Sequence, residues 1–426
     1  MVPPLGPAIS LRVMRDWIAL QDSARMPTPV YLYDLDVMRA RLAILNSMFG
    51  AQFDVSYAIK ANPNAAIVKT AADSGQNLDA SSYAEVVRAR KTGIDPAKIS
   101  FSGPGKRLTE LELFIGTGSE LVVESFEEIA DAARIASTKG ITQNVLIRVN
   151  PDFVPRGFGA SMSGKPSQFG IDEQSAADAV AAIDAAPNLS LVGLHIYTGS
   201  NSLSADTIVE NFENMARLFT ELADGGSRKL EKLIFGAGFG VPYHNGQTPL
   251  DLEKVAAGTL HIAKLLRSYA GFADTTFILE LGRWVVGPAG ALLTSVLSTK
   301  ISRGQNIRIC DAGFNNHLAA CGMMGSVFRK DWPVAHLTAE ANSIEESVKL
   351  TGPLCTSIDA LAGPLNLPFV KRGDVLAVLL SGAYGLTASP SRFISHPEPF
   401  EIIIEDGEFR DVTESHHNHI HGHGNA

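Results

Sequence analysis

The chain has 426 residues, enough for two domains and at least one large core. Its 45% hydrophobic and 19% charged residues describe a globular protein, and a net charge of −9 without a basic stripe argues against nucleic acid as a partner. Three cysteines without metal-ligand spacing make a disulfide framework or metal centre unexpected, and no run approaches the roughly 20 apolar residues of a membrane span. Prolines with Arg12, Arg15 and Asp16 occupy the place of a signal peptide's apolar run, so the expectation is a cytoplasmic protein with no membrane partner.

A strand at Val30–Tyr33 comes first. Further strands are expected at Asp54–Ile59, Asn77–Ala80, Lys98–Ser102, Leu121–Glu124, Asn144–Val149, Leu191–Tyr197, Leu233–Phe235 and Thr276–Leu279. Helical patterns separate most of them, at Ala65–Ala72, Ser82–Lys91, Thr109–Ile115, Phe126–Thr138, Ala176–Ala185, Ala205–Leu222 and Leu250–Tyr269. Thr109 with Glu112 and Ser125 with Glu128 have the spacing of capping boxes. Eight strands alternating with helices over roughly 250 residues predict an α/β fold, a TIM-like (β/α)8 barrel. A doubly wound open sheet is the alternative, but no dinucleotide fingerprint follows the first strand.

Beyond Gly290 the pattern becomes β-rich, at Leu292–Ile301, Asn306–Cys310, Ser347–Leu350, Asp374–Leu380 and Phe400–Glu405, with a hairpin turn at Asp406-Gly407. The expected domains are a lead and strand over 1–35, a barrel over 36–288 and an all-β C-terminal domain, barrel or sandwich, over 289–412. The Val30–Tyr33 strand is assigned to that β domain. Residues 413–426 form a His-rich, low-complexity tail outside the fold.

The carboxyl ends of barrel strands form the active face. In order they offer Lys60, Asp79, Ser102-Gly103, Glu124, Arg148, His195 with Tyr197, Gly236–Gly240 and Glu280. Lys60 ends a strand whose Phe53, Val55, Tyr57 and Ile59 form the apolar face; desolvation there favours a neutral, nucleophilic amine suited to Schiff-base chemistry. Taken alone, the favoured reading is an edge lysine reaching water. Gly236, Gly238, Phe239 and Gly240 follow a strand, so their backbone N–H groups can converge on a phosphate, with Ser200 adding a hydroxyl. Glu280 could keep a heteroaromatic nitrogen protonated, or pair with Arg283. His195 and Tyr197 share one strand face, and either could lie flat on a ring. A lysine, a stacking ring, a phosphate loop and an acidic partner are what pyridoxal 5′-phosphate requires, and a carboxylate partner favours decarboxylation over racemisation.

Tyr57–Asn62, Arg148–Pro151, Gly236–Tyr243, Glu280–Arg283, Gly352–Cys355 and Ser381–Tyr384 resemble the alanine-racemase-fold decarboxylases, the diaminopimelate and ornithine decarboxylase superfamily. The resemblance implies that Lys60 carries the cofactor and Glu280 binds its ring nitrogen, with Arg148 and Asp79 near its phenolic oxygen. It places Ser200, the Gly236–Gly240 loop, Gly282, Arg283 and Tyr384 around the phosphate. Cys355 becomes the proton donor, delivered with Asp359 from the partner subunit of a homodimer with shared sites. Arg283, Cys355, Thr356, Asp359 and Tyr384 become the substrate contacts.

The family's stacking histidine falls at Tyr197. Diaminopimelate decarboxylases place a glutamate where Thr356 stands, and an arginine and a tyrosine at the positions of Ala319 and Met323. Phe101–Lys106, Met162–Gly170, His195–Gly199 and Tyr384–Leu386 running to Ser395–Pro397 are similar to the branch acting on glutamyl groups of an acyl carrier protein. The expected function is pyridoxal-phosphate-dependent decarboxylation of an amino-acid moiety on a modified or carrier-bound substrate. Alternatives are lysine-forming diaminopimelate decarboxylation and a catalytically silent cofactor-binding regulator.

Overall fold

A computed structural model describes residues 6–22, 27–153, 157–244, 246–323 and 331–414. The His416–His423 tail lies outside the described residues. The chain divides into two compact units, one of Arg41–Val241 and Thr248–Trp284, the other of Met1–Ala40, Pro242–Gln247 and Val285–Ala426.

In the first unit, eight parallel strands close into a barrel. They are β2 (Phe53–Ala58), β3 (Asn77–Ala80), β4 (Ile99–Phe101), β5 (Glu120–Val123), β6 (Gln143–Asn150), β9 (Leu189–Ile196), β11 (Lys232–Gly236) and β12 (Thr276–Leu281). The pairing of β12 with β2 completes the ring. Short extras decorate it: β8 (Ile171–Asp172) adds to β6, and β7 (Ala160–Ser161) pairs with β10 (Gly199–Ser200). Val122, Leu146, Val192, Ile234 and Ile278 fill the barrel interior as one cluster. Outside it, Phe53, Phe212, Phe219, Phe235 and Phe277 pack ring on ring, with Phe212 and Phe235 stacked at 5.0 Å. The apolar face of β2 thus packs against helix Ala205–Leu222, as its alternation requires.

The helices begin on capping side chains, with Asn64, Ser82, Ser125, Ser204 and Asp251 each accepting a backbone N–H. The expected box at Thr109 and Glu112 is displaced. That helix starts at Leu108, and it is Glu110 that accepts from the Arg107 N–H. Two helices escaped the sequence reading, Leu11–Ala19 and Leu35–Phe49.

The second unit is a nine-stranded mixed sheet. Its main path is β17 (Ala360–Pro368), β16 (Glu345–Thr351), β14 (Gln305–Cys310), β13 (Gly290–Ser302), β1 (Val30–Asp34), β19 (Phe400–Glu405) and β20 (Glu408–Asp411). β18 (Val375–Val378) pairs with both β13 and β15 (Val334–His336). β1 lies between β13, antiparallel, and β19, parallel. Helix Leu11–Ala19, from the lead, also belongs to this unit and buries Met14 and Trp17 against Val30, Leu32 and Leu293 in its core.

Candidate active site

Strand register decides which side chains meet at the barrel's carboxyl rim. Neighbours in register point the same way, and the register matches Ala58 with Asp79, Arg148 with His195, and Gly236 with Glu280. Lys60 sits just past β2, in a single 3₁₀ turn, Ile59–Ala61. The strand therefore stops one residue short of the sequence expectation. Tyr57 donates its hydroxyl to the Asn62 carbonyl, and the Asn62 side chain accepts from Asn64 N–H, so the turn is tied on both flanks. Gly282 closes the third side: a Cβ there would lie 2.5 Å from that of Ala61.

From this turn Lys60 Nζ reaches Glu280 Oε1 at 3.4 Å and Asp79 Oδ2 at 3.9 Å, and lies 5.4 Å from the centre of the Tyr197 ring. Glu280 and Asp79 are both buried. Asp79 accepts hydrogen bonds from the Ser100 and Ser102 hydroxyls. Burial, then repulsion from Glu280, raises its carboxyl to about 6 against the pull of Lys60 and His195. Burial acts on Glu280 in the same sense, but Lys60, His195 and Arg148 outweigh it and leave this carboxyl well below the usual range. Two acids side by side thus take opposite states, Glu280 a fixed anion and Asp79 able to hold a proton near pH 6.

His195 and Tyr197 diverge. His195 Nε2 lies 2.7 Å from Glu280 Oε2, off the line of a straight hydrogen bond. Tyr197 sits over Gly236, where a Cβ would come within 2.4 Å of its ring. The glycine loop after β11 is sewn to the segment after β9: Ser202 N–H donates to Gly238 O, Gly240 N–H to Ser202 O, and Val241 N–H to the Asn201 side chain. Gly238 has φ +64°, and a side chain there would strike the Gly199 carbonyl and the Phe158 ring. Ser200 and Phe239 are buried beside this loop. Arg283 opens the short helix after β12, half-buried.

Arg148 is committed elsewhere than Asp79. Its guanidinium lies 3.2 Å from Glu124 and 4.8 Å from the Phe169 ring centre. Burial opposes charge on Glu124, and Arg148, Lys106 and the N–H groups of Gly170 and Gly103 overcome it. The sequence reading noted Glu124 as a strand end and gave it no task; Ser100 was missed altogether. An acidic strand end beside an arginine strand end was the available signal.

The remaining residues belong to the second unit. Cys355 is exposed at the tip of a turn, and Thr356 beside it is half-buried. Asp359 faces inward, one oxygen accepting from Phe314 N–H and the other from Leu354 N–H, at 2.9 and 2.8 Å. Within this unit its carboxylate pins the Cys355 turn. Tyr384 is half-buried with φ +53°, a strained conformation for a tyrosine. Ala319 is half-buried and Met323 exposed.

The rim fits a charged heteroaromatic ring. Glu280 is a buried carboxylate whose Oε1 meets Lys60 at a long 3.4 Å, and His195 Nδ1 is buried without a hydrogen bond among the described residues, an expensive arrangement unless a ligand completes it. Comparison with known proteins agrees. The family model "Pyridoxal-dependent decarboxylase, pyridoxal binding domain" matches residues 35–287. The L-glutamyl-[BtrI acyl-carrier protein] decarboxylase of Niallia circulans is 35% identical over 395 residues, 90% of each chain. The diaminopimelate decarboxylase of Helicobacter pylori strain J99 is 33% identical over 386 residues, covering 90% of this chain and 92% of its own. The crystal structure of H. pylori diaminopimelate decarboxylase complexed with L-lysine superposes with a TM-score of 0.82 at 29% identity, covering 94% of this chain and 95% of that one. Matched across its barrel by the family and across nine-tenths of its length by these relatives, the chain belongs to the pyridoxal-dependent decarboxylases and is an amino-acid carboxy-lyase that works with pyridoxal 5′-phosphate.

Proposed function

We propose that this decarboxylase acts on an amino-acid group carried at the end of a larger substrate, of the glutamyl-carrier type, rather than on free diaminopimelate. The observation that carries this reading is the chemistry of Thr356, Ala319 and Met323. None of the three offers a charge, whereas a free substrate with a second ammonium and carboxylate needs a partner for each. Leaving a buried charge without its partner costs roughly 3–5 kcal/mol. Similarity to the glutamyl-carrier decarboxylase of N. circulans supports the same reading.

Bound pyridoxal 5′-phosphate supplies an electron sink for the electron pair left when CO2 departs. Lys60 anchors it covalently, from a turn fixed by Tyr57, Asn62 and Gly282. Glu280, kept anionic by its cationic neighbours, holds the ring nitrogen protonated. Tyr197 offers the flat wall nearest the lysine amine. The Gly236–Gly240 loop, Ser200, Gly282, Arg283 and Tyr384 hold the phosphate. Arg148, locked to Glu124, and Asp79, locked to two serines, line the lysine's side of the rim. Cys355 Sγ returns a proton to the carbon that lost CO2, with Asp359 fixing its turn. The family resemblance supports a homodimer in which Cys355 comes from the second copy.

The test is CO2 release from free meso-diaminopimelate, free glutamate and glutamyl-loaded carrier protein, with Lys60→Ala as control. Fast turnover of free diaminopimelate with none of the carrier-bound group would overturn the proposal. It would establish the second reading, diaminopimelate decarboxylation, which the H. pylori relative favours.

A further inference from the structure

We propose that His195 is a positioning residue that acts through Glu280, holding one carboxylate oxygen so that the other is left for the cofactor's ring nitrogen. The inference rests on Lys60 being the covalent anchor of pyridoxal 5′-phosphate.

The two oxygens of Glu280 have different partners. Oε2 lies 2.7 Å from His195 Nε2, between side chains that are 1% and 2% exposed. With both groups enclosed at that distance, the imidazole fixes where Oε2 stands and keeps it from turning toward the cofactor. Among the described residues, Oε1 is met by Lys60, at 3.4 Å, from a side chain that is 34% exposed. The first contact is rigid and enclosed; the second is long and belongs to a side chain with another task. Once Lys60 is committed to the cofactor, its free ammonium no longer faces Glu280. Of the other charged groups facing the carboxylate, Asp79 from β3 repels it and Arg148 from β6 is paired with Glu124. His195 is then the contact that both orients the carboxylate and favours its charge.

Backbone layout makes the contact possible. β11 runs between the strands of His195 and Glu280, and in register it matches His195 with Ile234 and Glu280 with Gly236. Glycine at 236 seats the Tyr197 ring, which a Cβ there would meet at 2.4 Å. The histidine and the tyrosine thus divide two tasks that sequence alone left open between them.

The test strips the protein of cofactor and measures the dissociation constant of added pyridoxal 5′-phosphate by equilibrium dialysis. His195→Phe keeps a ring and removes the donor; His195→Gln restores a donor. His195→Phe should weaken binding roughly 10- to 100-fold, the scale of a lost polar contact to a buried charged group, and His195→Gln by less than about 3-fold. In a Glu280→Gln background, His195→Phe should add less than about 2-fold, because the residue it acts through is gone. Equal losses in both backgrounds, or wild-type affinity in His195→Phe, would overturn the proposal. If His195→Phe does not fold, His195→Ala in the same two backgrounds decides by the same criteria. Failure of the unmodified protein to bind pyridoxal 5′-phosphate would instead remove the cofactor reading, and this inference with it.

Discussion

Lys60 and Cys355 carry separable tasks, and substitution should separate them. Lys60→Ala is expected to abolish the visible absorbance of the cofactor-loaded protein and lower kcat on the order of 10³-fold or more. Cys355→Ser should keep that absorbance and lower kcat by about 10²–10⁴-fold, the range for a lost proton donor; spectra and single-turnover CO2 release distinguish the two. Asp79 supplies a stability signature. Its folded value of about 6 lies above its unfolded value near 3.9. The folded protein therefore binds the extra proton in that interval, and this group's contribution to stability falls as pH rises from about 4 to 6. Asp79→Asn removes the cost. The cofactor-free variant should exceed wild type by roughly 1–3 kcal/mol at pH 7.5, with the gap closing toward pH 4, as urea denaturation at the two pH values would measure.

Among the elements, the turn Ile59–Ala61 depends most on its neighbours. Gly282→Ala would drive a methyl to 2.5 Å from Ala61 Cβ and 3.1 Å from the Ala58 carbonyl. The turn must give way, so a stability loss of about 1–3 kcal/mol is expected, together with a fall in kcat that Ser10→Ala, which removes a helix cap in the sheet unit worth about 1 kcal/mol, should not cause. Thermal melts beside activity would tell them apart. The barrel strands were legible because each alternates or runs apolar and ends in a polar or glycine position. Helix Leu35–Phe49 was missed, although Leu35, Met38, Leu42, Leu45 and Phe49 recur at helical spacing, because a strand directly before it masked its start. β17 was not legible, since Gly363, Pro364 and Pro368 give it the composition of a loop. Within the site, residue types could be read from strand ends, and their pairings could not. That His195 meets Glu280 while Arg148 meets Glu124 follows from strand register and side-chain reach, which no local pattern encodes.

For the whole molecule, the shared-site proposal makes a quantitative prediction. Lys60→Ala and Cys355→Ser proteins, each inactive, should regain activity when unfolded together, refolded and mixed. Random pairing makes half the dimers mixed, and each of those holds one intact site of two, so about a quarter of wild-type activity is expected. Activity that stays at the level of the separate mutants would show that both residues come from one chain. No helix among the described residues is long and apolar enough to cross a membrane.

The barrel unit is almost continuous in sequence, whereas the sheet unit is assembled from both sides of it. β1 leaves the ribosome before the barrel and its parallel partner β19 after it. During synthesis Val30–Asp34, an entirely buried strand in the finished protein, must wait with bare edges while the barrel is made. The barrel can close in that interval; the sheet cannot. Stalled nascent chains ending after Trp284 should protect barrel amides from hydrogen exchange and leave those of Val30–Asp34 open. Early exposure of this apolar strand, and not the stability of the finished fold, is where a holdase would bind.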